Sequence, residues 1–370
     1  MKRKLCIFCE IWRSGGIESF VYSLLTHIDT SSFDIDIVAS EIGESVFKDE
    51  LKNKGIGFIE LSGNRRQFIK NLFLFFKLIK AKKYDIIHAN LFQGASLAFV
   101  ELSRRAGIPV RIAHSHNTSL RKSRFVFLKK AVHTISTYVF KNAPTDRWAC
   151  SEDAARFMFR LRKSDKAFFR FIPNGIDLEA FRFRESIREI TRNEFNLNGR
   201  TVIGSIGRLT SQKNYTFLIE AFAELIKQSP EAILLIIGDG EEREALYSSV
   251  RRLGIESATI FFGETDRVPE LLDCMDVFVF PSLFEGLGIA VIEAQASGLP
   301  VLCSENVPKE ACLLNTVERL PLDLGAKAWA ETISRLLSVS VQREECADLV
   351  GEKGFDIKSV SKQIEEFYFG

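Results

Sequence analysis

Two cations and two carboxylates stand in this chain at spacings that suit a bound diphosphate. Gly207 and Arg208 close the run TVIGSIG-R, and Lys213 follows five residues after Arg208, just ahead of a helix expected to begin near Tyr215. Fixed positive charge beside a helix N-terminus, whose free N–H groups already favour anions, makes a phosphate site; the same pattern also describes two surface cations near a cap. The second group lies in SLFEGLGIAVIEAQASGLP, which presents Glu285, then Gly286, Leu287 and Gly288 at a strand-to-helix turn, then Glu293 inside the helix. Glycines at such a turn let backbone N–H groups approach phosphate oxygens. Glu285 and Glu293 are eight positions apart, about two helical turns, so both carboxylates can reach one ligand lying along the helix axis. Glu293 is flanked by Ile292 and Ala294, where an unpaired carboxylate is unfavourable, and a pair of ribose hydroxyls would serve it as partners.

The remaining polar candidates are few. Of the five histidines, His27 and His133 fall on expected helices and read as structural, while His88, His114 and His116 fall at or near expected strand ends, on the ligand side of the sheet. His116, just before the turn Asn117-Thr118-Ser119, is the candidate for the reaction centre; His114 reads as a satisfied strand histidine. Asp34 and Asp36 have the Asp-x-Asp spacing of a metal-held diphosphate site, yet they open an early strand whose alternation sends both to one solvated face, far in sequence from Arg208 and Lys213. With those two cations available to neutralise a diphosphate, no metal is expected. The seven cysteines are scattered and odd in number, and they read as buried free thiols.

Parallel sheets covered by helices must hold these residues in place. Apolar runs KLCIFCE, FDIDIVAS, GFIEL, DIIHAN, RIAHSH and TDRWACS alternate with helical patterns in the first half; TVIGSIG, AILLIIGDG, TIFFG, VFVFPS and PVLCS do so in the second. Helices are expected over 19–28, 68–80, 96–106, 215–227, 241–253 and 288–296. The element order restarts once, near FIPNGID, after which the charged stretch 183–198 leads into the next strand. The expectation is an α/β protein of two Rossmann-like, doubly wound domains facing across a cleft: 1–176, rejoined by a returning C-terminal helix over 355–370, and 177–354. The 370 residues, 46% hydrophobic and 26% charged, suit a soluble enzyme of two domains. Without an export signal or a membrane-spanning run, a cytoplasmic place is expected. Net charge is +2, but residues 1–178 hold 30 Lys and Arg against 17 Asp and Glu, and the remainder 20 against 31. The basic half suits an anionic surface or ligand, or else simply solvated helix faces.

Gly-Arg-x4-Lys followed by Glu-x7-Glu in a Glu-Gly-Leu-Gly context resembles glycosyltransferase family 4, whose members are retaining enzymes with the GT-B fold. Ser14-Gly15-Gly16-Ile17-Glu18, HSHNT at 114–118, PNGID and GDGE at 238–241 extend the resemblance over nearly the whole chain, and the wording is most similar to bacterial exopolysaccharide and capsule enzymes of the EpsF type. The resemblance implies that Arg208 and Lys213 hold the diphosphate, with Gly286, Leu287 and Gly288 offering backbone N–H groups to it. It implies that Glu293 binds the ribose and that Glu285 sits against the transferred sugar. Gly16 would let the backbone close over the phosphates, Gly263 and Glu264 would meet the base, and His116 would contact the donor sugar or support the reaction centre. It further implies a nucleotide-sugar donor, UDP-sugar first, no cofactor, and a glycan or lipid-linked acceptor in surface polysaccharide synthesis. Retention would then proceed by front-face attack, since no nucleophilic carboxylate pair is evident.

Two segments bear on a membrane. Residues 65–83 form an apolar helix rimmed by cations, and LRKSRFVFLKK at 120–130 has the same character; either suits peripheral contact with an anionic inner leaflet, or else core packing by Leu72, Phe73 and Phe76 with lysines reaching outward. No nucleic-acid module accompanies the basic residues. A nucleotide-sugar epimerase, a sugar phosphorylase and a two-domain small-ligand binding protein are the rival classes, separable by product analysis.

Overall fold

The computed structural model describes residues 2–13, 15–120, 126–160 and 168–370. Strands such as Ala232–Ile237 are buried at every position instead of alternating, because helices cover both faces of a parallel sheet. The chain divides into two units, Met1–Gly175 with Ile357–Gly370, and Ile176–Asp356.

In the first unit the strands are β1 (Arg3–Trp12), β2 (Phe33–Ile42), β3 (Gly57–Glu60), β4 (Ile86–Leu91), β5 (Val110–Ser115), β6 (Asp146–Ala149) and β7 (Arg170–Phe171). They pair in parallel in the order β3-β2-β1-β4-β5-β6-β7. The second unit holds β8 (Thr201–Ile206), β9 (Ala232–Ile237), β10 (Thr259–Gly263), β11 (Val277–Phe280), β12 (Val301–Ser304) and β13 (Val317–Leu320), parallel in the order β10-β9-β8-β11-β12-β13. Both are Rossmann orders. The direction of winding reverses between β1 and β4 and again between β8 and β11, and ligands of open α/β sheets bind at the carboxyl ends of the strands flanking such a point.

Several elements differ from the sequence expectation. β7 and β13 are short edge strands without a strong apolar run. The stretch 183–198 is not merely a charged lead into β8: it contains the helix Glu185–Glu194, whose cations are docked. Arg188 donates to the carbonyls of Asp273 and Met275 and to Asp276, and Arg192 to the carbonyls of Cys274 and Leu197. They satisfy carbonyls left open at the end of the helix Val268–Asp273. Asp36 does not lie on a solvated face. It is buried beneath the helix Phe68–Lys82, accepting from Tyr84 Oη at 2.6 Å and paired with Lys82 Nζ at 2.9 Å, while Asp34 is exposed.

That helix also corrects the core assignment. Asn71, Phe75 and Ile79 form its buried face, with Asn71 bonded to the backbone of Ser62 and Asn64, and Leu72 and Phe76 pack beside them. Phe73, on the opposite side, is exposed. The C-terminal helix Ile357–Phe369 buries Val360, Ile364 and Tyr368 in the core of the first unit. All seven cysteines are free, and six are buried. Among the described residues no helix is long and apolar enough to cross a membrane.

Candidate active site

Three loops of the second unit are locked to one another by backbone contact. The chain leaves β8 through Gly207, whose φ of 148° favours glycine, and its N–H donates to Ile237 O at 3.0 Å. Leu209 N–H donates to Asp239 O at 3.0 Å, Glu242 N–H to Leu209 O at 3.0 Å, and Gly238 N–H to Gly263 O at 2.8 Å. A Cβ on Gly238 would stand 2.3 Å from Gly207 O, and one on Gly240 2.4 Å from Leu209 O. The GDGE turn therefore serves as the floor on which the Gly-Arg loop rests. Tyr215 Oη, donating to Gly207 O at 2.9 Å, holds the same loop from the side of the helix Tyr215–Leu225.

The loop after β11 is tied to the loop before that helix. Gln212 Nε2 donates to Phe284 O at 2.9 Å, Leu283 N–H to Gln212 O at 2.8 Å, and Asn214 Nδ2 to Pro281 O at 3.1 Å. These bonds deliver Lys213 to Glu285: Nζ lies 2.7 Å from Oε1 and 4.5 Å from the centre of the Phe280 ring. Glu285 and Leu287 are buried, and Gly288 caps the helix Ile289–Ala296 with φ 93°, a conformation that costs glycine nothing. The Val291 N–H donates to Gly288 O at 2.9 Å, and the N-terminus of such a helix favours an anion. Glu293 is half-buried one turn further on; burial pushes its carboxyl up to about 7, and the Lys213 charge acts weakly the other way. Arg208 is exposed and makes no ion pair among the described residues.

The structure thus gathers Arg208, Lys213, Glu285, Gly286, Leu287, Gly288 and Glu293 around the winding reversal between β8 and β11. Gly263 reaches this group only through its bond to Gly238, at the end of edge strand β10, and Glu264 beyond it is exposed. Such a set can neutralise and orient a diphosphate, with Glu293 left for hydroxyl groups.

Gly16 and His116 belong to the first unit. Gly16 opens the helix Gly16–His27, and a Cβ there would meet nothing within 4 Å; Ser14 lies outside the described residues. Phe20 of this helix approaches the His116 ring with centroids 5.4 Å apart, so both sequence candidates sit at the same end of the sheet. His116 Nε2 lies 2.8 Å from Asn90 Oδ1, and an amide oxygen only accepts, which assigns the proton to Nε2 and leaves Nδ1 bare. Nδ1 and Asn174 Oδ1 both lack a hydrogen-bond partner among the described residues. Burial lowers the His116 ring below the ordinary histidine range, and Asn174, which would accept from a protonated Nδ1, opposes that.

His88 lies in the middle of β4 and His114 one residue before the end of β5, and both are fully buried within the first unit. His88 Nδ1 lies 2.5 Å from Tyr368 Oη, its Nε2 lies 3.1 Å from His114 Nδ1, and the His114 ring stands 4.0 Å from that of His116. The row links the C-terminal helix to the back of His116. Sequence reasoning missed Tyr368, Asn90 and Asn174; only Asn174 left a signal, inside the PNGID turn used as a boundary marker. The row also fixes a pH response. Burial, reinforced by His116, lowers His88 from 6.5 to about 3, so the folded state holds it neutral while the unfolded chain takes up a proton below 6.5. Stability from this group is complete above 6.5 and falls as pH drops toward 3. The unfolding free energy at pH 5 is expected to be about 2 kcal/mol lower than at pH 7 from His88 alone, measurable by urea denaturation followed by tryptophan fluorescence.

Comparison with known proteins bears on this arrangement. The pattern of Glycosyltransferase Family 4 matches residues 14–180, and that of glycosyl transferases group 1 matches residues 187–350. EpsF of Bacillus subtilis (strain 168), which bears a glycosyltransferase's name, is 30% identical over 92% of this chain and 90% of its own. The Escherichia coli UDP-Gal:alpha-D-GlcNAc-diphosphoundecaprenol alpha-1,3-galactosyltransferase is 28% identical over 96% of this chain and 93% of its own. The crystal structure of Anabaena HepE in complex with UDP superposes with a TM-score of 0.77 at 18% identity, covering 100% of this chain and 99% of that one. Two Rossmann-like units, matched by these patterns over nearly the full length, place the chain in glycosyltransferase family 4, with the GT-B fold.

Proposed function

We propose that the protein is a retaining hexosyltransferase that moves a sugar from a UDP-sugar to a glycan or lipid-linked acceptor in bacterial surface polysaccharide synthesis, without a metal. The observation that carries this reading is the convergence of Lys213, Glu285 and the Gly288 helix cap at the end of the strand that leads into Arg208, a cation with no ion pair among the described residues. Arg208, Lys213 and the amides at Gly286–Gly288 would hold the diphosphate, Glu293 the ribose hydroxyls, and Gly263 with Glu264 the base. Glu285 would take sugar hydroxyls while Lys213 holds its carboxylate in place. Gly16 and His116 are the residues of the first unit to which this reading assigns a role.

In this mechanism the bond from C1 to the diphosphate oxygen breaks as the acceptor oxygen joins C1 on the same face. The acceptor proton passes to the departing phosphate oxygen. The two cations and the fixed amide dipoles stabilise the negative charge that grows on the leaving group, which is electrostatic catalysis by preorganised groups. The charge of Arg208 and Lys213 does what a metal does elsewhere, so the reaction runs in EDTA. The UDP-Gal donor and the diphosphoundecaprenol acceptor in the name of the E. coli relative support this choice of donor and of a lipid-linked acceptor.

The test is proton NMR of the product formed from UDP-galactose or UDP-glucose and a short-chain polyprenyl-diphosphate sugar, in EDTA. An α-linked product from the α-configured donor supports the reading; a β-linked product, or turnover only with added magnesium, contradicts it.

A further inference from the structure

The helix Val126–Val139 is built inside out. Leu128, Val132, Ile135 and Val139 recur at intervals of four, three and four residues and so share one face, with Phe127 and Tyr138 on its flank. This is the face a globular protein normally buries, yet these four are between 43% and 65% exposed, and Phe127 is 83% exposed. The helix is held to the protein by its polar side. Thr137 is its buried residue, and His133 is fixed at both ring nitrogens: Nδ1 accepts from Gly94 N–H at 2.8 Å and Nε2 donates to Phe157 O at 3.0 Å, with the ring stacked on Phe157. A Cβ on Gly94 would stand 2.6 Å from His133 O and 2.7 Å from Thr137 Cγ2, so glycine there permits the close approach. The polar anchor sets the rotation of the helix and directs its apolar stripe away from the sheet.

Charge decides what covers the stripe. From residue 126 to residue 145 the sequence holds three Lys and no Asp or Glu. Lys129 and Lys130 are exposed on the helix, and Lys141 follows it, its Nζ 5.0 Å from the Tyr138 ring centre. A second copy docked by the same face would set cations against cations. A basic protein partner meets the same obstacle. An anionic bilayer meets both needs, because aliphatic and aromatic side chains enter the acyl boundary while lysines stay at the headgroups. The helix Phe68–Lys82 offers only Ile69 and Phe73 outward and buries its main face.

We infer that Val126–Val139 is a membrane-docking helix that lies in the plane of an anionic lipid surface. The inference rests on the proposed lipid-linked acceptor for its purpose, and on exposure, anchoring and charge for its evidence. Each apolar side chain in the stripe faces solvent, so polar replacements there leave the fold intact.

The test is co-sedimentation of the full chain with vesicles of phosphatidylcholine containing about 30 mol % phosphatidylglycerol, and with phosphatidylcholine alone. The expected result is binding to the anionic vesicles that weakens with salt, and a loss of about tenfold or more in the double variant Leu128→Gln/Ile135→Gln. Phe73→Gln is expected to change binding less than about twofold. Equal binding by wild type and double variant, or none by wild type, overturns the inference. A wild-type dimer at low salt that the double variant converts to monomer overturns it in favour of a second copy. UDP affinity measured on the same preparations separates the two proposals: docking that fails while UDP binds removes only the helix assignment, whereas failed UDP binding removes the donor-site reading and leaves vesicle binding to be judged alone.

Discussion

Lys213→Ala is expected to lower kcat/KM by about 10³ and to reduce stability as well, two effects with separate causes. The catalytic loss follows from its place. Lys213 is fixed by the loop before the helix Tyr215–Leu225, which is tied to the loop after β11 by three hydrogen bonds, so its charge is already aimed when the leaving diphosphate gains charge. Removing one preorganised group of this kind costs about 3–4 kcal/mol in the transition state. The stability loss follows from Glu285, whose buried carboxylate loses a cation 2.7 Å away, for about 2 kcal/mol. Arg208→Ala separates the causes. Arg208 is exposed and unpaired among the described residues, so its removal is expected to cut donor affinity with no change in Tm. Steady-state kinetics and thermal unfolding of both variants check this; a Lys213→Ala enzyme of normal kcat/KM would exclude the lysine from the reaction.

Glu293→Gln is expected to move nucleotide affinity and stability in opposite directions. Burial raises this carboxyl to about 7 in the free protein against 4.5 in the unfolded chain. A raised acid contributes its stability below 4.5 and loses it as pH rises through 7, so at pH 8 the ionised group strains the free second unit. Replacing it with Gln removes that strain and is expected to raise stability at pH 8 by about 1–2 kcal/mol, allowing for its partial exposure, with no gain at pH 4.5. Ribose hydroxyls donate best to the ionised form, and the same substitution is expected to weaken UDP binding about thirtyfold, about 2 kcal/mol. In the wild type, binding near pH 6.5 should release a fraction of a proton, visible as a dependence of the calorimetric enthalpy on buffer ionisation. Unchanged affinity would place the ribose elsewhere; a stability loss at pH 8 would mean that Glu293 has a structural partner.

What the sequence made visible was what is local. The apolar runs of β1, β4, β8 and β9 are legible because strands covered on both faces admit no polar alternation. Gly-Arg-x4-Lys and Glu-x7-Glu are legible because each lies within one short stretch that runs from a strand end into the following helix. The row behind His116 was not, since Tyr368 reaches His88 across 280 residues and neither residue type alone suggests the contact. The floor under Arg208 was equally hidden: Gly238 and Gly240 look like an ordinary turn until their approach to Gly207 and Leu209 is seen. Asp36 and Phe73 were misplaced for one reason. Periodicity gives the faces of an element but not which face the neighbours cover, and Asn71 shifts the buried face of the helix Phe68–Lys82. The helix Val126–Val139 is the extreme case, in which periodicity is clear and the covered face is the polar one. Residues 121–125, within the basic segment just before it, lie outside the described residues.

The central claim is a donor site built from Arg208, Lys213 and the glycine turn of the second unit, and it is tested most directly by titration calorimetry in EDTA. Wild-type protein and the Arg208→Ala/Lys213→Ala variant would each be titrated with UDP, GDP and ADP. The account predicts micromolar binding of UDP in preference to the other two, unchanged by magnesium, and a loss of about 10³ or more in the double variant. UDP binding that survives in the variant, or that requires magnesium, would contradict it.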